Sequence, residues 1–528
     1  MPCRPPAVAT PAEPSVPVDR APATLGELVA SAAAEVPDEP ALIFGETCWT
    51  FGELAARVDA LAATLATTTP PGARIAVLAE NVPQFVVLLL AAPAAGRVVV
   101  PLNVRHTPTE LTELIRRSGA SLVAGTDEQL RRLTGPDLPP LPGGSALRID
   151  DPGPAPGTSP GFGATQPADP DAAAWLIFTS GTTGPPKGVV LTHRGLLAAV
   201  ANTAAGRPLA DDDVYLYPFP LYHVSAYNLL HALLRRRPTV LLPRFDAAAV
   251  ADLTARHHVT TMSLAPTMLR LLLDHLDGDV APLSSLRTVA YGAAAMPAAL
   301  LREGTDTLGC GFAQGYGMTE LSGNAVFLSP DDHLLGLAGD ARLLRAAGRA
   351  GPLIELQVVD ESGAPAAPGE AGAIVARGPQ VCAGYWDDAE ATAAGIVDGW
   401  LHTGDIGTLD ADGLLTIVDR AKDLVVTGGE NVSSLEVEGA VGTHPLVASV
   451  AVVGLPDDRW GEAVTAVVVP RAGLDPGQVA ALPEEVAAHA AQRLAGYKKP
   501  KRVVVVDELP VNAGGKVDKR ALRDRLTP

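Results

Sequence analysis

Apolar residues recur along this chain in two ways, at helical spacing and in short unbroken runs. Between residues 24 and 134 the two patterns alternate. Leu54, Val58, Leu61 and Leu65 stand three or four apart, so they share one face of a helix over 52–65. The runs 75–79 and 98–101 are short, aliphatic and uninterrupted, as in buried strands. Trp49-Thr50-Phe51 reads as the end of a strand pair. The most apolar stretch, 85–102, carries Pro93 and Arg97 and predicts a buried helix followed by a strand, not a membrane span.

Residues 135–171 are dense in proline and glycine and predict a solvent-exposed loop. Alternation resumes over 172–340, where 240–242, 262–264 and 289–291 predict parallel core strands. Over 348–418 the pattern shortens to strands joined by turns, a small β-rich lobe with Asp412-Gly413 as a hairpin signal. From 421 to the end, helix and strand alternate again on a smaller scale. No internal repeat is present. The predicted fold is α/β: a large N-terminal region of α/β subdomains plus the β-rich lobe over 24–420, then a small α+β C-terminal domain over 421–528.

Composition narrows the function. The chain has 528 residues, 47% hydrophobic and 19% charged, which suits a folded protein of several lobes. Forty Lys and Arg against 59 Asp and Glu give a net charge of −19, which argues against non-specific nucleic-acid binding. Four scattered cysteines, Cys3, Cys48, Cys310 and Cys382, form no C-x-x-C pair, so a reducing cytoplasm is expected. Residues 1–23 have no basic start followed by an apolar core and read as a disordered tail. Oligomeric state is not written in the sequence.

Candidate chemistry centres on 178–194. Strand-like runs at 175–178 and 189–191 flank a loop holding Thr179, Ser180, Gly181, Thr182, Thr183, Gly184 and Lys187. Glycines let the backbone approach an anion, hydroxyls donate to it, and the lysine adds charge. That is chemistry for gripping a polyphosphate. The spacing is neither the Walker pattern nor the dinucleotide G-x-G-x-x-G, and the loop joins two strands and does not open a helix. At 315–320, Gly315, Tyr316, Gly317, Met318, Thr319 and Glu320 end in a hydroxyl suited to a phosphate and a carboxylate suited to Mg²⁺. Asp405, in Thr403-Gly404-Asp405, can accept both hydroxyls of a ribose. Asp419 and Asp423, flanking Arg420 and Lys422, are expected to be solvated charges at a domain edge.

Taken in order, these segments resemble the signatures of the adenylate-forming superfamily of acyl-CoA synthetases, adenylation domains and luciferases, over about 25–526. The resemblance implies that Tyr316 packs on adenine, Thr319 meets a phosphate and Glu320 holds the metal. Asp405 then binds the ribose, and Arg420 makes a second ribose or phosphate contact. Gly292, Ala293 and Ala294 let a flat base or acyl chain pass close to the backbone; Ala295 stands where the family usually has glycine or alanine before proline. His223 lines the carboxylate pocket. Lys422 marks a hinge that makes the C-terminal domain mobile, and the face at Gly428 and Gly429 serves the second step. Lys516, in Asn512-Ala513-Gly514-Gly515-Lys516-Val517, matches the lysine of adenylation.

The implied activity is AMP-forming activation of a carboxylic acid with ATP and Mg²⁺, followed by transfer to coenzyme A. Two alternatives stand beside it. The acceptor could be a carrier-protein thiol in trans, or another nucleophile as in nitrite-using diazo-forming relatives. A non-catalytic nucleotide-binding regulator is the reading from another class, and the presence of Glu320, Asp405, Arg420 and Lys516 argues against it.

Overall fold

Thr50 ends a strand and starts a helix. Its hydroxyl accepts from the Glu53 amide at 3.2 Å, and Glu53 returns a carboxylate oxygen to the Thr50 amide at 3.0 Å. This reciprocal cap satisfies two donors that a helix start leaves open. The strand pair Pro40–Phe44 and Thr47–Thr50 therefore stops at Thr50, and Phe51 belongs to the helix Phe51–Thr68, one residue earlier than the spacing suggested. The computed structural model describes residues 22–134, 146–150, 169–179, 186–292, 294–428, 430–457, 459–512 and 516–527.

Among the described residues four sheets form. A nine-stranded sheet runs, in order, Arg349–Ala350, Gly323–Leu328, Gly311–Met318, Thr288–Tyr291, Thr261–Leu264, Tyr215–Tyr217, Thr239–Leu241, Pro40–Phe44 and Thr47–Thr50. Its middle is parallel and its edges antiparallel. A seven-stranded sheet runs Gly384–Tyr385, Lys187–Thr192, Ala173–Thr179, Val98–Pro101, Arg74–Leu78, Leu122–Gly125 and Ala146–Arg148. The last of these corrects the expectation of loop throughout 135–171. Residues 146–148 pair in parallel with 123–125 and extend the sheet, a three-residue strand too short to show against its proline-rich surroundings.

Strand alternation explains the layering. Leu216 and Val240 point into one apolar cluster, while Tyr215, Tyr217 and Leu241 point into another. In the seven-stranded sheet, Ile75 and Val77 join that second cluster, and Ala76 and Leu78 face away from it. One core is thus shared between the two sheets. The helix Pro83–Ala94 lies in it with Phe85 to Ala92 all buried, as expected for a helix apolar on every side. Each such leucine contributes about 1.5–3 kcal/mol over its exposed state.

The β-rich region forms a five-stranded antiparallel sheet of Glu355–Val359, Ala371–Arg377, Trp400–Leu409, Ile396–Val397 and Leu415–Arg420. Gly413, at φ 72°, turns the chain between the 400–409 and 415–420 strands where Asp412-Gly413 predicts a hairpin. Beyond it, Val425–Thr427, Glu430–Val432, Val447–Asp457, Gly461–Pro470 and Arg502–Val505 form a last sheet with a valine-rich core of its own. No described helix is long and apolar enough to cross a membrane. Cys48, Cys310 and Cys382 are free thiols.

Candidate active site

The 173–179 and 187–192 strands form an antiparallel hairpin, pairing Thr179 with Lys187 at its tip. The Thr179 hydroxyl lies 3.4 Å from the Lys187 carbonyl oxygen. The loop therefore joins two strands, as its spacing indicated. Ser180, Gly181, Thr182, Thr183 and Gly184 lie outside the described residues, as do Ala293 and Gly429.

Strand 311–318 carries the second group. A Cβ on Gly292 would lie 2.7 Å from the Gly315 carbonyl oxygen, and one on Gly317 would lie 2.0 Å from that of Gly323. Only glycine permits these approaches. They press the end of the strand against its neighbours and deliver Tyr316, Met318, Thr319 and Glu320 to one edge. Thr319 opens a single 3-10 turn, closed by the Ser322 amide on its carbonyl at 2.9 Å. Ala294 is exposed beside Gly292.

Tyr316 reaches across to the β-rich sheet, where its hydroxyl donates to Asp405 Oδ2 at 2.6 Å. Asp405 is buried and stands opposite Arg420 in register; Arg420 Nε is 3.3 Å from Asp405 Oδ1. Burial raises the Tyr316 pKa first and the Asp405 charge raises it further, so the phenol stays a donor.

Glu320 is also buried, and burial pushes its carboxyl above the usual range. Hydrogen bonding, including Tyr385, and the charges of Arg420 and Lys187 act the other way. Tyr385 donates its hydroxyl to Glu320 Oε1 at 3.2 Å, and Lys187 Nζ sits 5.1 Å from the Tyr385 ring centre. No group of three or more acidic, histidine or cysteine side chains suited to a metal occurs among the described residues. A lone carboxylate does fit Mg²⁺, which takes one or two carboxylates and completes its shell with phosphate oxygens and water.

Lys516 comes from the far end of the chain. Its amide donates to Asn512 Oδ1 at 3.2 Å. The surrounding protein mass lowers its pKa first and Arg420 lowers it further, while Asp405 and Glu320 oppose. The residue is exposed, and its charge interacts with those of Arg420, Asp405 and Glu320. Lys516 also acts on His223, half-buried with its ring edge-on to Tyr222 at 4.8 Å. Burial, then Lys516, Arg105 and His106, bring the His223 pKa down to about 4, so its imidazole is neutral at pH 7.

The structure thus brings Lys187, Tyr316, Glu320, Asp405, Arg420, Lys516 and His223 to one junction. Lys422 lies two residues beyond Arg420, exposed, its carbonyl accepting from Arg523 at 3.4 Å. Gly428 stands apart: its φ is 61°, its amide donates to the Trp460 carbonyl at 2.8 Å, and a Cβ there would lie 3.1 Å from the Trp460 ring.

Two residues carried no usable signal in the sequence. Tyr385 is separated from Glu320 by 65 positions, and no local pattern links them. Asp419 was expected to be a solvated charge and is instead buried, accepting from the Arg420 and Ser434 amides. It anchors the start of the helix Ser434–Gly442, where a carboxylate is favoured by the helix dipole. Asp423 is likewise paired, with Arg523 at 3.1 Å.

Residues 29–386 match the family described as AMP-binding enzyme, and 436–516 match AMP-binding enzyme C-terminal domain. Feruloyl-CoA synthase of Amycolatopsis sp is 38% identical over 510 residues, covering 95% of this chain and 99% of that protein. The fatty acid–[acyl-carrier-protein] ligase ScoC of Streptomyces coeruleorubidus is 34% identical, covering 95% and 96%. The solved o-succinylbenzoate coenzyme A synthetase of Bacillus subtilis, in complex with ATP and magnesium ion, superposes with a TM-score of 0.81 at 30% identity, covering 94% and 98%.

Proposed function

The chain belongs to the family of AMP-binding enzymes, and from that premise we propose that it activates a carboxylic acid with ATP and passes the acyl group to coenzyme A. A carboxylate resists nucleophilic attack because it is already negative and would have to expel oxide. Its oxygen instead attacks the α-phosphorus of ATP. The bond from that phosphorus to the bridging oxygen breaks, pyrophosphate leaves, and an acyl-adenylate forms. The thiol of coenzyme A then attacks the carbonyl carbon and expels AMP, releasing one proton and leaving a thioester.

The observation that supports this reading is the position of Lys516. A residue from the last segment stands in the field of Glu320, Asp405, Arg420 and His223, which come from three separate parts of the chain. Charge accumulates on phosphate oxygens in the first step, and Lys516, Lys187 and the hydroxyls of Thr179, Ser180, Thr182 and Thr183 would neutralise it. Magnesium on Glu320 would add to that neutralisation when bound. Asp405 and Tyr316 orient the nucleoside. Neutral His223 offers the acid a hydrogen bond without a charge. Loss of one such contact typically lowers the rate about 10²–10³-fold.

Residues 24–420 act as the adenylating unit and 421–528 as a C-terminal unit that turns about Lys422 between the two steps. The closed valine core within 425–505 supports such a unit, and the exposure of Lys422 suits a pivot. The face around Gly428 would then serve the thiol step.

A pyrophosphate-release screen over aromatic and fatty acids, with and without coenzyme A, tests the reading. Release with at least one acid, and multiple turnovers only with coenzyme A, is expected. No release with any acid would end it. The relationship to ScoC supports a second acceptor, a carrier-protein thiol in trans. Turnover restored by a carrier protein and not by coenzyme A would select it.

A further inference from the structure

We infer that Tyr385 is a positioning residue for the cation at Glu320, and that residues 382–386 lock this carboxylate to the hairpin that carries Lys187. The inference rests on Glu320 as the magnesium ligand proposed above.

One short segment makes both attachments. On one side it extends the seven-stranded sheet. Gly384 and Tyr385 pair with Val190 and Val189, the Ala383 amide donates to the Val190 carbonyl at 3.0 Å, and the Trp386 amide donates to the Gly188 carbonyl at 2.7 Å. On the other side it holds Glu320 twice. The Cys382 amide donates to the Glu320 carbonyl at 2.8 Å, and the Tyr385 hydroxyl donates to the Glu320 carboxylate at 3.2 Å. Lys187, at the base of the hydroxyl-rich loop, closes the circuit over the Tyr385 ring at 5.1 Å. Tyr385 therefore touches the cationic side chain on the phosphate side and the anionic one on the metal side.

The chemistry follows from magnesium's demands. It accepts little distortion from octahedral geometry, so a ligand's orientation matters as well as its charge. A hydroxyl bound to Oε1 restrains the carboxylate from rotating. Second contacts of this kind orient metal ligands generally. Because Tyr385 belongs to the seven-stranded sheet and Glu320 to the turn that follows the 311–318 strand of the nine-stranded one, the same bond also ties the carboxylate to the hairpin that carries Lys187.

Tyr385→Phe removes the hydroxyl and keeps the ring over Lys187. Calorimetric titration with a non-hydrolysable ATP analogue, in magnesium and in EDTA, reads the effect apart from turnover. The wild-type protein is expected to bind the analogue more tightly with magnesium. Tyr385→Phe should lose about 10–100-fold in magnesium-dependent affinity, the scale of losing an outer contact to a metal ligand, and hold its metal-free affinity. On a Glu320→Gln background the same change should do nothing further. Equal losses with and without magnesium would overturn the inference, as would an additional loss on the Glu320→Gln background or an unchanged magnesium effect in Tyr385→Phe alone. A wild-type protein indifferent to magnesium would instead remove the assignment of Glu320 itself.

Discussion

Tyr316 and Asp405, 89 positions apart and on different sheets, meet through a phenol-to-carboxylate hydrogen bond of 2.6 Å. Arg420 holds the other carboxylate oxygen at 3.3 Å, so both oxygens of Asp405 are oriented before any nucleotide arrives. Removing the phenol hydroxyl frees one of them. A hydrogen bond to a charged group contributes about 1.5–3 kcal/mol, so Tyr316→Phe is expected to raise the KM for ATP about 10–100-fold. The KM for the acid should stay put. Pyrophosphate exchange measured against each substrate separates the two, and an unchanged ATP dependence would deny the hydroxyl any part in orienting Asp405.

Lys516 interacts with the charges of Glu320, Asp405 and Arg420, and in the proposed reaction its own charge would bear on the phosphates. Lys516→Ala should lower ATP–pyrophosphate exchange about 10²–10³-fold. Thioester formation from supplied acyl-adenylate should survive, because that step no longer builds charge on a pentavalent phosphorus. Comparable losses in both assays would take the residue out of the adenylation step.

Among the described residues the Lys422 amide donates no hydrogen bond, so proline at this position removes none. It does restrict φ and the residue before it. Lys422→Pro is therefore expected to spare adenylation and slow thioester formation by at least about tenfold, as a blocked rotation would. Single-turnover kinetics of each half-reaction decide this, and normal overall turnover would rule out a pivot there.

His193 is buried and its Nδ1 accepts from the Leu25 amide at 3.1 Å, tying the first helix to the helix His193–Gly206. Burial lowers its pKa from 6.5 to about 4. As pH falls below 6.5 the unfolded chain takes up this proton first, so the stabilisation is complete above 6.5 and lost towards 4. The full loss is on the order of 3 kcal/mol. His193→Asn keeps an acceptor and cannot titrate. Its melting temperature should fall less steeply than the wild type between pH 6.5 and 5, and parallel curves would show that His193 does not drive the change.

The helix Phe51–Thr68 and the strands at 98–101, 173–179 and 187–192 were legible because their patterns are local. So were the chemical segments, since a run such as Gly315 to Glu320 carries its hydroxyl, carboxylate and close-approach glycines within one strand and turn. The strand Ala146–Arg148 was not, because three residues make no period. Asp419 was misread because an aspartate opening the charged run 419–423 looks solvated until the Ser434 amide is seen to point at it.

What the sequence determined alone was the order of elements and the stock of reactive groups, because helical and strand periods and hydroxyl-rich turns are properties of adjacent residues. Which groups act on one another was decided only by packing. The register of Asp405 against Arg420 is set across a hairpin, and the reach of Tyr316 across two sheets, the grip of Tyr385 on Glu320 and the arrival of Lys516 join residues far apart in the chain. Hydrogen bonds and charges act over a few ångströms, and only burying the apolar faces of the sheets and helices against one another brings these side chains that close.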